Sequence, residues 1–416
     1  MNTNKQSRIS IALRRRRKNP ELVLPSHVLE SIFQRLPLQD LARIKAVSST
    51  WKSFAEAVLL SKSCLQRVPW LMFPPPKEAE FDDDDEDEEE EEEFYVNAPS
   101  CCLMNVEENI VYYLKKTTSD LFFKFKCIGS SHGWLIFFDD TTKSPFLLNP
   151  FTEHRIQLPL LEPHLKSVLK ERSILRPVKA ILTAEPDGEY GVVVICDFRV
   201  GLGFYKNGDS SWTIIEGSSK NYDDIICCKN QLYAIRYSLN GVVETWDLQG
   251  CRPKKKITIA ANYPDIYEDE AGDCTLSSYL VESRGEILLV VRLIEEEEFL
   301  FDSAHRTKLF HVYKLDIKRE KWVEVKSLGD RSLFLGINHS ASITTKDLQT
   351  CKPNSIYFTD DFWVQILHTP YGHDMGIYSL EDGCFTPVQD HLEIPKEIQP
   401  LLCWIVPNGR NQIQNK

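Results

Sequence analysis

The sequence of 416 residues lacks the short motifs by which metal-binding and nucleotide-binding proteins are usually recognised. Its twelve cysteines form no CxxC pair and no Cys/His spacing of a zinc site, and its ten histidines form no HExxH arrangement. No P-loop is present, and Gly201-Leu202-Gly203 is at most a fragment of the GxGxxG loop that cradles a dinucleotide phosphate. The sequence therefore predicts no metal and no cofactor.

Long apolar runs are also absent. No stretch approaches the eighteen residues that a membrane-spanning helix needs, and the polar, basic N-terminus is unlike a secretory signal. Disulfides persist mainly in secreted and extracellular proteins, so the cysteines are expected to be reduced and buried. We therefore expect an intracellular protein, located in the nucleus and/or the cytoplasm, with no membrane partner.

Charge of one sign is confined to short segments. The net charge is −12, and the run at residues 82–93 contributes twelve negative charges, so the rest of the chain is neutral. A neutral remainder does not favour a nucleic-acid partner. The acidic run predicts a disordered loop over residues 77–93, which either attracts a basic partner or keeps the protein soluble. The basic stretch 14–18 is either a nuclear import signal or a solvated arm.

Apolar residues at helical spacing fill residues 24–60. The spacing predicts three short helices: the first ends at Pro37, the second follows it, and the Ser-Ser-Thr cluster at 48–50 caps the third. Their apolar faces comprise Val28, Leu29, Ile32, Phe33 and Leu36, then Leu41, Ile44 and Val47, then Trp51, Phe54, Val58 and Leu59. About forty residues lie near the lower limit for independent folding, so the exposed apolar surface indicates an interface.

The order of these residues resembles the F-box, a helical module that docks onto the adaptor subunit of cullin-RING ubiquitin ligases. The resemblance implies a set of residues that form or support the adaptor-binding surface: Leu24, Pro25, Leu29, Ile32, Leu36, Pro37, Leu41, Val47, Ser48 and Trp51. The implied partners are an Skp1-like adaptor and, through it, a cullin. The alternative interpretation is an ordinary helical hairpin packed against the rest of the chain.

Beyond about residue 66 the sequence changes to short β-rich runs separated by Gly, Asn, Asp and Pro. One pattern recurs: a turn of small residues, an inner strand, a second strand, a polar turn, and an outer strand led by an aromatic residue. Copies begin near Gly133, Gly203, Asn230, Gly285 and Ser355, and an N-terminal copy starts at Pro69. The repetition predicts an all-β propeller of six blades, closed by a strand from residues 402–406.

Several segments are similar to those of plant F-box proteins with a KIB-type β-propeller, namely residues 69–72, 129–135, 148–152, 312–315 and 322–325. The resemblance implies an α+β multidomain fold, in which a small N-terminal three-helix F-box precedes a kelch-like all-β propeller of about six blades. It assigns a disordered basic arm to residues 1–21, the F-box to 22–65, the propeller with its acidic loop to 66–410, and a tail to 411–416. The acidic run then lies inside the first blade.

Three sets of residues formally match chemical sites. Residues 129–133 (Gly-Ser-Ser-His-Gly) fit the GxSxG nucleophile elbow, but an elbow needs a following helix, and a strand follows here; we expect a turn in which His132 hydrogen-bonds between strands. The aspartate pairs at 139–140, 223–224 and 360–361 are expected to form turns. Trp212, Trp246, Trp322 and Trp363 are expected to pack between blades rather than to form a ligand platform.

The sequence therefore predicts a substrate-recognition subunit of an SCF-type (Skp1-cullin-F-box) E3 ubiquitin ligase. The propeller would bind a protein substrate, and no residue of the chain would perform covalent chemistry. One alternative is an Skp1-binding scaffold that acts outside the ligase. The other is a propeller-based small-molecule sensor or enzyme, which would need a convergent polar or metal cluster at the central channel.

Overall fold

The computed structural model describes fourteen parts of the chain: residues 25–36, 44, 47–61, 68–73, 102–113, 121, 124–161, 178–196, 201–236, 241–259, 274–298, 303–361, 374–388 and 402–407. The chain divides into two compact units, Met1–Lys62 and Ser63–Lys416. The described residues of the first unit are mostly helical, and those of the second unit lie mostly in strands and turns. Neither described helix is both long enough and apolar enough to cross a membrane.

The first unit contains α1 (Ser26–Gln34) and α2 (Ser49–Ser61). Pro25 precedes α1, and its carbonyl oxygen accepts the amides of Val28 at 2.9 Å and Leu29 at 3.1 Å. Ser48 caps α2 as predicted, since its Oγ accepts the amide of Trp51 at 3.2 Å. Most of the helix predicted between them lies outside the described residues, and Val47, assigned to its apolar face, lies in a turn before α2.

The described part of the second unit forms six sheets, which we number blades 1 to 6 in chain order. Blade 1 contains β1 (Trp70–Phe73), β2 (Cys102–Asn105) and β3 (Ile110–Tyr113). Blade 2 contains β4 (Lys126–Ser131), β5 (Trp134–Asp139), β6 (Ser144–Leu148) and β7 (Arg155–Gln157). Blade 3 contains β8 (Lys179–Leu182), β9 (Gly191–Cys196), β10 (Gly201–Lys206) and β11 (Thr213–Ile214).

The later blades carry longer or additional strands. Blade 4 contains β12 (Asp224–Cys228), β13 (Gln231–Arg236), β14 (Val242–Asp247) and β15 (Lys254–Ile259). Blade 5 contains β16 (Thr275–Ser283), β17 (Glu286–Glu298), β18 (Ser303–Asp316) and β19 (Lys321–Glu324). Blade 6 contains β20 (Arg331–Leu335), β21 (Ser340–Thr344), β22 (Ser355–Phe358), β23 (Gly376–Ser379) and β24 (Phe385–Thr386).

The ring closes with a strand from the C-terminal part of the chain, as predicted. β25 (Cys403–Ile405) pairs antiparallel with β1, with Cys403 opposite Met72 and Ile405 opposite Trp70. Blade 1 therefore has the strand order β25-β1-β2-β3. This pairing gives β1 a hydrogen-bonded strand on each side, so the backbone groups of β1 are not left as an exposed sheet edge. The prediction of a six-bladed propeller is confirmed.

The turn after the third strand has the same chemistry in four blades. A side-chain oxygen at the end of that strand accepts the backbone amide two residues on: Asn105 at 3.0 Å, Asn149 at 3.0 Å, Asp247 at 2.9 Å and Asp316 at 3.1 Å. Asn and Asp favour this local bond, which mimics a backbone turn. The repeated polar turn of the sequence is therefore an Asx turn that starts the outermost strand.

The prediction of which strand lies innermost is wrong. Residues 134–138 follow a turn of small residues and were assigned to an inner strand, but β5 pairs with β4 on one side and β6 on the other. The innermost strands of blades 2 to 5 are β4, β8, β12 and β16, each preceding the predicted pattern. They were missed because they are short or polar, as in Lys-Cys-Ile-Gly-Ser-Ser of β4, and show no regular apolar alternation.

Blade 6 departs from the repeating pattern. β20 lies between β21 and β22 and pairs antiparallel with the first but parallel with the second, with Ser332 opposite Ser355. A parallel neighbour inside an antiparallel blade requires a crossover, which residues 345–354 supply between β21 and β22. The blade therefore has five strands, whereas each of the other five has four.

The hydrophobic core lies between neighbouring blades. One cluster joins Ile136 and Phe138 of blade 2 to Val192 and Val194 of blade 3. Equivalent clusters join blades 3 and 4, blades 4 and 5, blades 5 and 6, and blades 6 and 1. Because each sheet buries both faces against its neighbours, β5 and β9 read as continuous apolar runs rather than as alternating ones.

Candidate functional site

Aromatic side chains hold α1 against α2. The ring of Phe33, which is 1% exposed, meets Trp51 edge-on with centroids 5.6 Å apart and Phe54 with centroids 6.4 Å apart. Ala55 and Val58 on α2 are also buried. Edge-to-face contacts of this kind suit the quadrupoles of aromatic rings. The buried face of α1 is therefore used within the helical unit, and a different set of apolar side chains is left on its outside.

Two apolar side chains of the predicted adaptor-binding set are exposed. Ile32 on α1 is 42% exposed, and Val47, in the turn before α2, is 62% exposed. Leu36 and Trp51 are partly buried, and Pro25 is exposed. The described part of the helical unit therefore leaves the side chains of Ile32 and Val47 in contact with solvent.

The other members of the set divide into supporting residues and residues outside the described structure. Leu29 is only 4% exposed, so it packs inside the helical unit and would support the surface rather than contact a partner. Ser48 shapes the surface by capping α2. Leu24, Pro37 and Leu41 lie outside the described residues. The assignment of adaptor contacts to all ten residues therefore stays a prediction.

The GxSxG match at residues 129–133 is a hairpin turn. β4 ends at Ser131 and β5 begins at Trp134, and the two turn residues have left-handed backbone angles, with φ of +53° at His132 and +77° at Gly133. Two consecutive residues of this kind are typical of a two-residue hairpin loop. A nucleophile elbow requires a strand followed by a helix, so this geometry does not form one. Burial lowers the pKa of His132, against a smaller opposing effect of Glu185.

The tryptophans that the structure describes pack between blades, as predicted. Trp212, Trp246 and Trp322 are at most 4% exposed. Each indole nitrogen donates to a backbone carbonyl of the preceding blade or its exit segment: Trp212 to Pro159 at 2.9 Å, Trp246 to Glu216 at 3.2 Å and Trp322 to Gly241 at 3.3 Å. A buried indole needs such a partner, and these bonds leave the rings no role as a ligand platform. Trp363 lies outside the described residues.

The prediction that the aspartate pairs form turns is only partly correct. Asp139 forms the predicted turn, since its Oδ1 accepts the amides of Thr141 at 2.8 Å and Thr142 at 3.2 Å. The prediction is wrong for Asp224, Asp360 and Asp361, whose buried side chains pair with Lys179, His305 and Arg292 respectively. Sequence reasoning missed these pairs because the partners lie between 45 and 69 residues away in the chain. No local pattern reports a contact of that kind.

One of these pairs lies on the innermost strands, at the central channel. Lys179 on β8 and Asp224 on β12 approach to 2.5 Å between Nζ and Oδ1, and both side chains are almost fully buried. The second carboxylate oxygen of Asp224 accepts the amide of Leu280 on β16 at 2.7 Å. The pair therefore links the innermost strands of blades 3, 4 and 5. Burying both charges is tolerable because each is paired and the carboxylate is also hydrogen-bonded.

His339 lies near this pair, in the segment before β21. Burial first, and then Lys179 and His132, lower the pKa of His339 to about 3, against a smaller opposing effect of a hydrogen bond with the backbone of Ser130. The imidazole is therefore neutral at physiological pH. Among the described residues no group of His, Cys, Asp and Glu has the arrangement needed to hold a metal ion. Lys179 and Asp224, on two of the innermost strands, satisfy one another.

Together these features define a class of protein, a helical unit with exposed apolar side chains followed by a six-bladed β-propeller. A family model described as an F-box domain matches residues 22–62. A second, described as a KIB1-4 beta-propeller, matches residues 103–379, which is more than half of the chain. The chain therefore belongs to the KIB1-4 β-propeller family of F-box proteins, which confirms the resemblance drawn from the sequence.

Three relatives from Arabidopsis thaliana are similar to most of this chain. The F-box protein SKIP23 is 26% identical over 326 residues, which span 68% of this chain and 77% of that protein. The F-box/kelch-repeat protein KIB1 is 27% identical over 347 residues, spanning 82% and 77%. The putative F-box protein At5g66830 is 24% identical over 393 residues, spanning 84% and 82%. The similarity to each therefore extends well beyond the F-box.

Proposed function

We propose that this chain is the substrate-recognition subunit of an SCF-type E3 ubiquitin ligase. Its F-box docks an Skp1-like adaptor, which connects it to a cullin, and its propeller binds a protein substrate for ubiquitination. The observation that carries the proposal is the F-box match at residues 22–62 joined, in one chain, to the propeller match at residues 103–379. F-box domains generally bind adaptors of the Skp1 type.

The exposure of the helical unit supports adaptor docking. Ile32 and Val47 present aliphatic surface outside the Phe33 packing that joins α1 to α2. Residues that are both apolar and exposed on a small rigid unit are suitable anchors for a protein interface, where a few large side chains usually carry most of the binding energy. Leu29 and Phe33 then hold these anchors in place from the buried side.

The proposed contribution of this chain to ubiquitin transfer is proximity. Tethering a substrate near a charged conjugating enzyme raises the effective concentration of its lysines, which requires no catalytic side chain in the receptor. The F-box homologues are consistent with a non-catalytic adaptor. The hairpin at residues 129–133 and the self-paired charges at the channel are consistent with the same role.

Co-purification with an Skp1-family adaptor and a cullin tests the proposal. The full chain, a version lacking residues 24–60, and a Leu36→Ala/Pro37→Ala double variant are expressed with both partners. We expect only the full chain to be retained at full yield, with the double variant weakened and its propeller still folded by thermal unfolding. Equal retention of all three forms would contradict the assignment of the adaptor-binding residues.

A second measurement separates a ligase receptor from a scaffold that binds the adaptor without delivering substrates. Proteins captured by the intact propeller are followed for ubiquitination in a reconstituted SCF reaction, with the full chain or with the form that lacks residues 24–60. Ubiquitination that requires residues 24–60 supports the receptor. Adaptor binding without ubiquitination of any captured protein favours the scaffold.

A further inference from the structure

Arg292 on β17 is the largest cationic side chain buried in the described structure, with 1% exposure. It lies in the long hairpin that β17 and β18 form in blade 5, and its guanidinium reaches blade 6. The plane of the guanidinium lies over the ring of Phe358 on β22, 4.8 Å from its centroid. A buried arginine of this kind is costly unless all of its donors are satisfied.

All three guanidinium nitrogens donate hydrogen bonds. Nε donates to Oγ1 of Thr307 on β18 at 2.8 Å. Nη1 donates to Oδ1 of Asp361 at 2.7 Å and to the carbonyl oxygen of Thr359 at 2.9 Å. Nη2 donates to Oδ2 of Asp374 at 2.9 Å and to its carbonyl oxygen at 3.0 Å. One side chain of blade 5 therefore binds three residues of blade 6.

These three residues stand at the two ends of one connection. Thr359 and Asp361 follow β22, and Asp374 precedes β23. Both ends of the connection between these two strands therefore bind the guanidinium of Arg292. Thr307 completes the bridge, because its hydroxyl donates to Oδ2 of Asp374 at 2.6 Å while it accepts from Arg292. The connection is thereby tied to the blade 5 hairpin at both ends.

Neighbouring groups reinforce the same two ends. Tyr279 on β16 donates its hydroxyl to Oδ2 of Asp361 at 2.6 Å. His305 on β18 pairs with Oδ1 of Asp360 at 2.9 Å, and Oδ2 of Asp360 accepts the amide of Asp374 at 3.0 Å. Three carboxylates thus converge on Arg292 and His305. Buried carboxylates depend on such partners, since removing Arg292 would leave their charge uncompensated.

We propose that Arg292 is a buried positioning residue that holds both ends of the β22–β23 connection against the blade 5 hairpin. We call Arg292 and its hydrogen bonds to Thr307, Thr359, Asp361 and Asp374 the clasp. When blade 6 opens locally, it opens at the clasp. When the clasp is weakened, the carboxylates gain water by moving the ends of the connection outward. The strands of blades 5 and 6 remain joined by the apolar cluster of Leu288, Leu333 and Ile356, which Phe358 connects to the guanidinium. Local opening of this kind is a common low-energy excursion of folded proteins.

Hydrogen–deuterium exchange on the full chain, read by mass spectrometry, tests the proposal. Arg292→Lys keeps the positive charge but cannot form the five bonds. We expect amide exchange at residues 359–361 and 374–379, and in the paired part of the blade 5 hairpin at residues 292–295 and 305–309, to become at least tenfold faster. Exchange in blades 2, 3 and 4 stays within twofold of the original protein.

A matched control uses another arginine between the same two blades. Arg284, in the turn between β16 and β17, binds both carboxylate oxygens of Asp330 at 2.7 Å, but the pair is about half exposed. Arg284→Lys should leave exchange at residues 359–361 and 374–379 unchanged, because an exposed ion pair contributes little. If it changes exchange there as much as Arg292→Lys does, the clasp is not specific and the proposal fails.

A gentler variant keeps the test decisive if Arg292→Lys does not fold. Thr307→Val removes only the bridging hydroxyl and preserves the shape of the side chain. We expect a smaller, threefold to tenfold, increase in exchange at the same residues. An increase spread evenly over all six blades would show that Arg292 and Thr307 serve the whole propeller, and exchange unchanged at residues 359–361 and 374–379 would show that they do not hold the connection. Either result overturns the proposal.

Discussion

The indole nitrogen of Trp404 lies 2.9 Å from the carbonyl oxygen of Leu335, a bond that joins the last strand of the chain to blade 6. Trp404 is fully buried on β25, and its ring meets Phe334 edge-on with centroids 5.0 Å apart. On its other side, β25 pairs with β1. One side chain therefore connects the closing strand of blade 1 with the neighbouring blade, so that the ring closes through packing as well as through strand pairing.

Replacing Trp404 should open the ring at this position. Trp404→Ala removes a buried ring, and we expect it to lower the free energy of unfolding by about 3–5 kcal/mol. Trp404→Phe retains most of the packing and removes only the indole donor, because the carbonyl of Leu335 still accepts the amide of Thr359 at 3.1 Å, so we expect a loss of about 0.5–1.5 kcal/mol. Urea unfolding measures both values. A loss for Trp404→Ala no larger than that for Trp404→Phe would contradict a closing role for the ring.

Blades 2 and 3 lie very close to each other at a glycine. A Cβ atom on Gly129 of β4 would lie 2.0 Å from the carbonyl oxygen of Ala180 on β8 and 2.9 Å from its carbonyl carbon. Both are backbone atoms of the next innermost strand, so they can move only if the blades separate. Glycine is therefore required at residue 129 by the spacing of the inner strands rather than by its own backbone angle.

Gly129→Ala should accordingly be severe, costing more than the roughly 1–3 kcal/mol typical of an overpacked core. Gly188→Ala is a matched control, because no atom lies within 4 Å of the added Cβ and the backbone there has no positive φ. We expect the control to be neutral or slightly stabilising, by up to about 1 kcal/mol. The measurement is the thermal unfolding midpoint of each. Similar midpoints for the two variants would refute the steric argument.

The parts of this fold that sequence can predict are those with local signals. The Ser48 cap, the closing strand at residues 403–405 and the interblade tryptophans each depend on residue type and on spacing within one segment. The repeated Asx turn made the blades countable, because Asn149 and Asp316 mark the same point in two copies. Local chemistry of this kind is visible without knowing which segments pack together.

The parts that sequence missed depend on distant partners. Asp224 looks like a turn residue until Lys179 is brought to it by the ring, and Arg292 acquires its role only when Asp361 and Asp374 are placed around it. The innermost strands are hard to recognise for a related reason: their pairing and burial come from neighbouring blades, so β4 and β12 need no apolar alternation of their own. The extra strand β20 likewise has no local signature.

Adaptor binding should depend on the exposed side chain of Ile32. Since Ile32 is 42% exposed, Ile32→Asp should leave the helical unit folded while placing a charge in the docking surface. We expect the affinity for an Skp1-family adaptor to fall by about 2–4 kcal/mol, or roughly 30-fold to 1000-fold. Isothermal titration calorimetry measures the loss.

The control for Ile32 is an apolar residue of similar exposure in the propeller. Val323 on β19 is 38% exposed, and Val323→Asp introduces the same charge at a distance from the F-box in the sequence. We expect adaptor affinity within twofold of the original protein. Equal losses for Ile32→Asp and Val323→Asp would mean that the added charge, rather than the docking surface, weakens binding.

Lowering the pH should destabilise the propeller, because His339 takes up a proton more readily in the unfolded chain than in the folded one. Burial, Lys179 and His132 lower the pKa of His339 to about 3, whereas an unfolded histidine titrates near 6.5. The stabilising effect of a neutral His339 is therefore complete above about pH 6.5 and is lost as the pH falls, because only the unfolded chain takes up the proton. Between pH 7.5 and pH 5 the expected loss is about 2 kcal/mol.

His339→Gln isolates this contribution because glutamine does not titrate. We expect urea unfolding of the variant to lose about 2 kcal/mol less than the original protein between pH 7.5 and pH 5, since the other titrating groups are shared. His154→Gln is the control, because His154 is exposed on the segment before β7. The change that His154→Gln makes to the pH dependence is the reference against which the effect of His339→Gln is compared. If His339→Gln retains the full pH dependence, the imidazole is protonated in the folded propeller and its burial beside Lys179 does not control its charge.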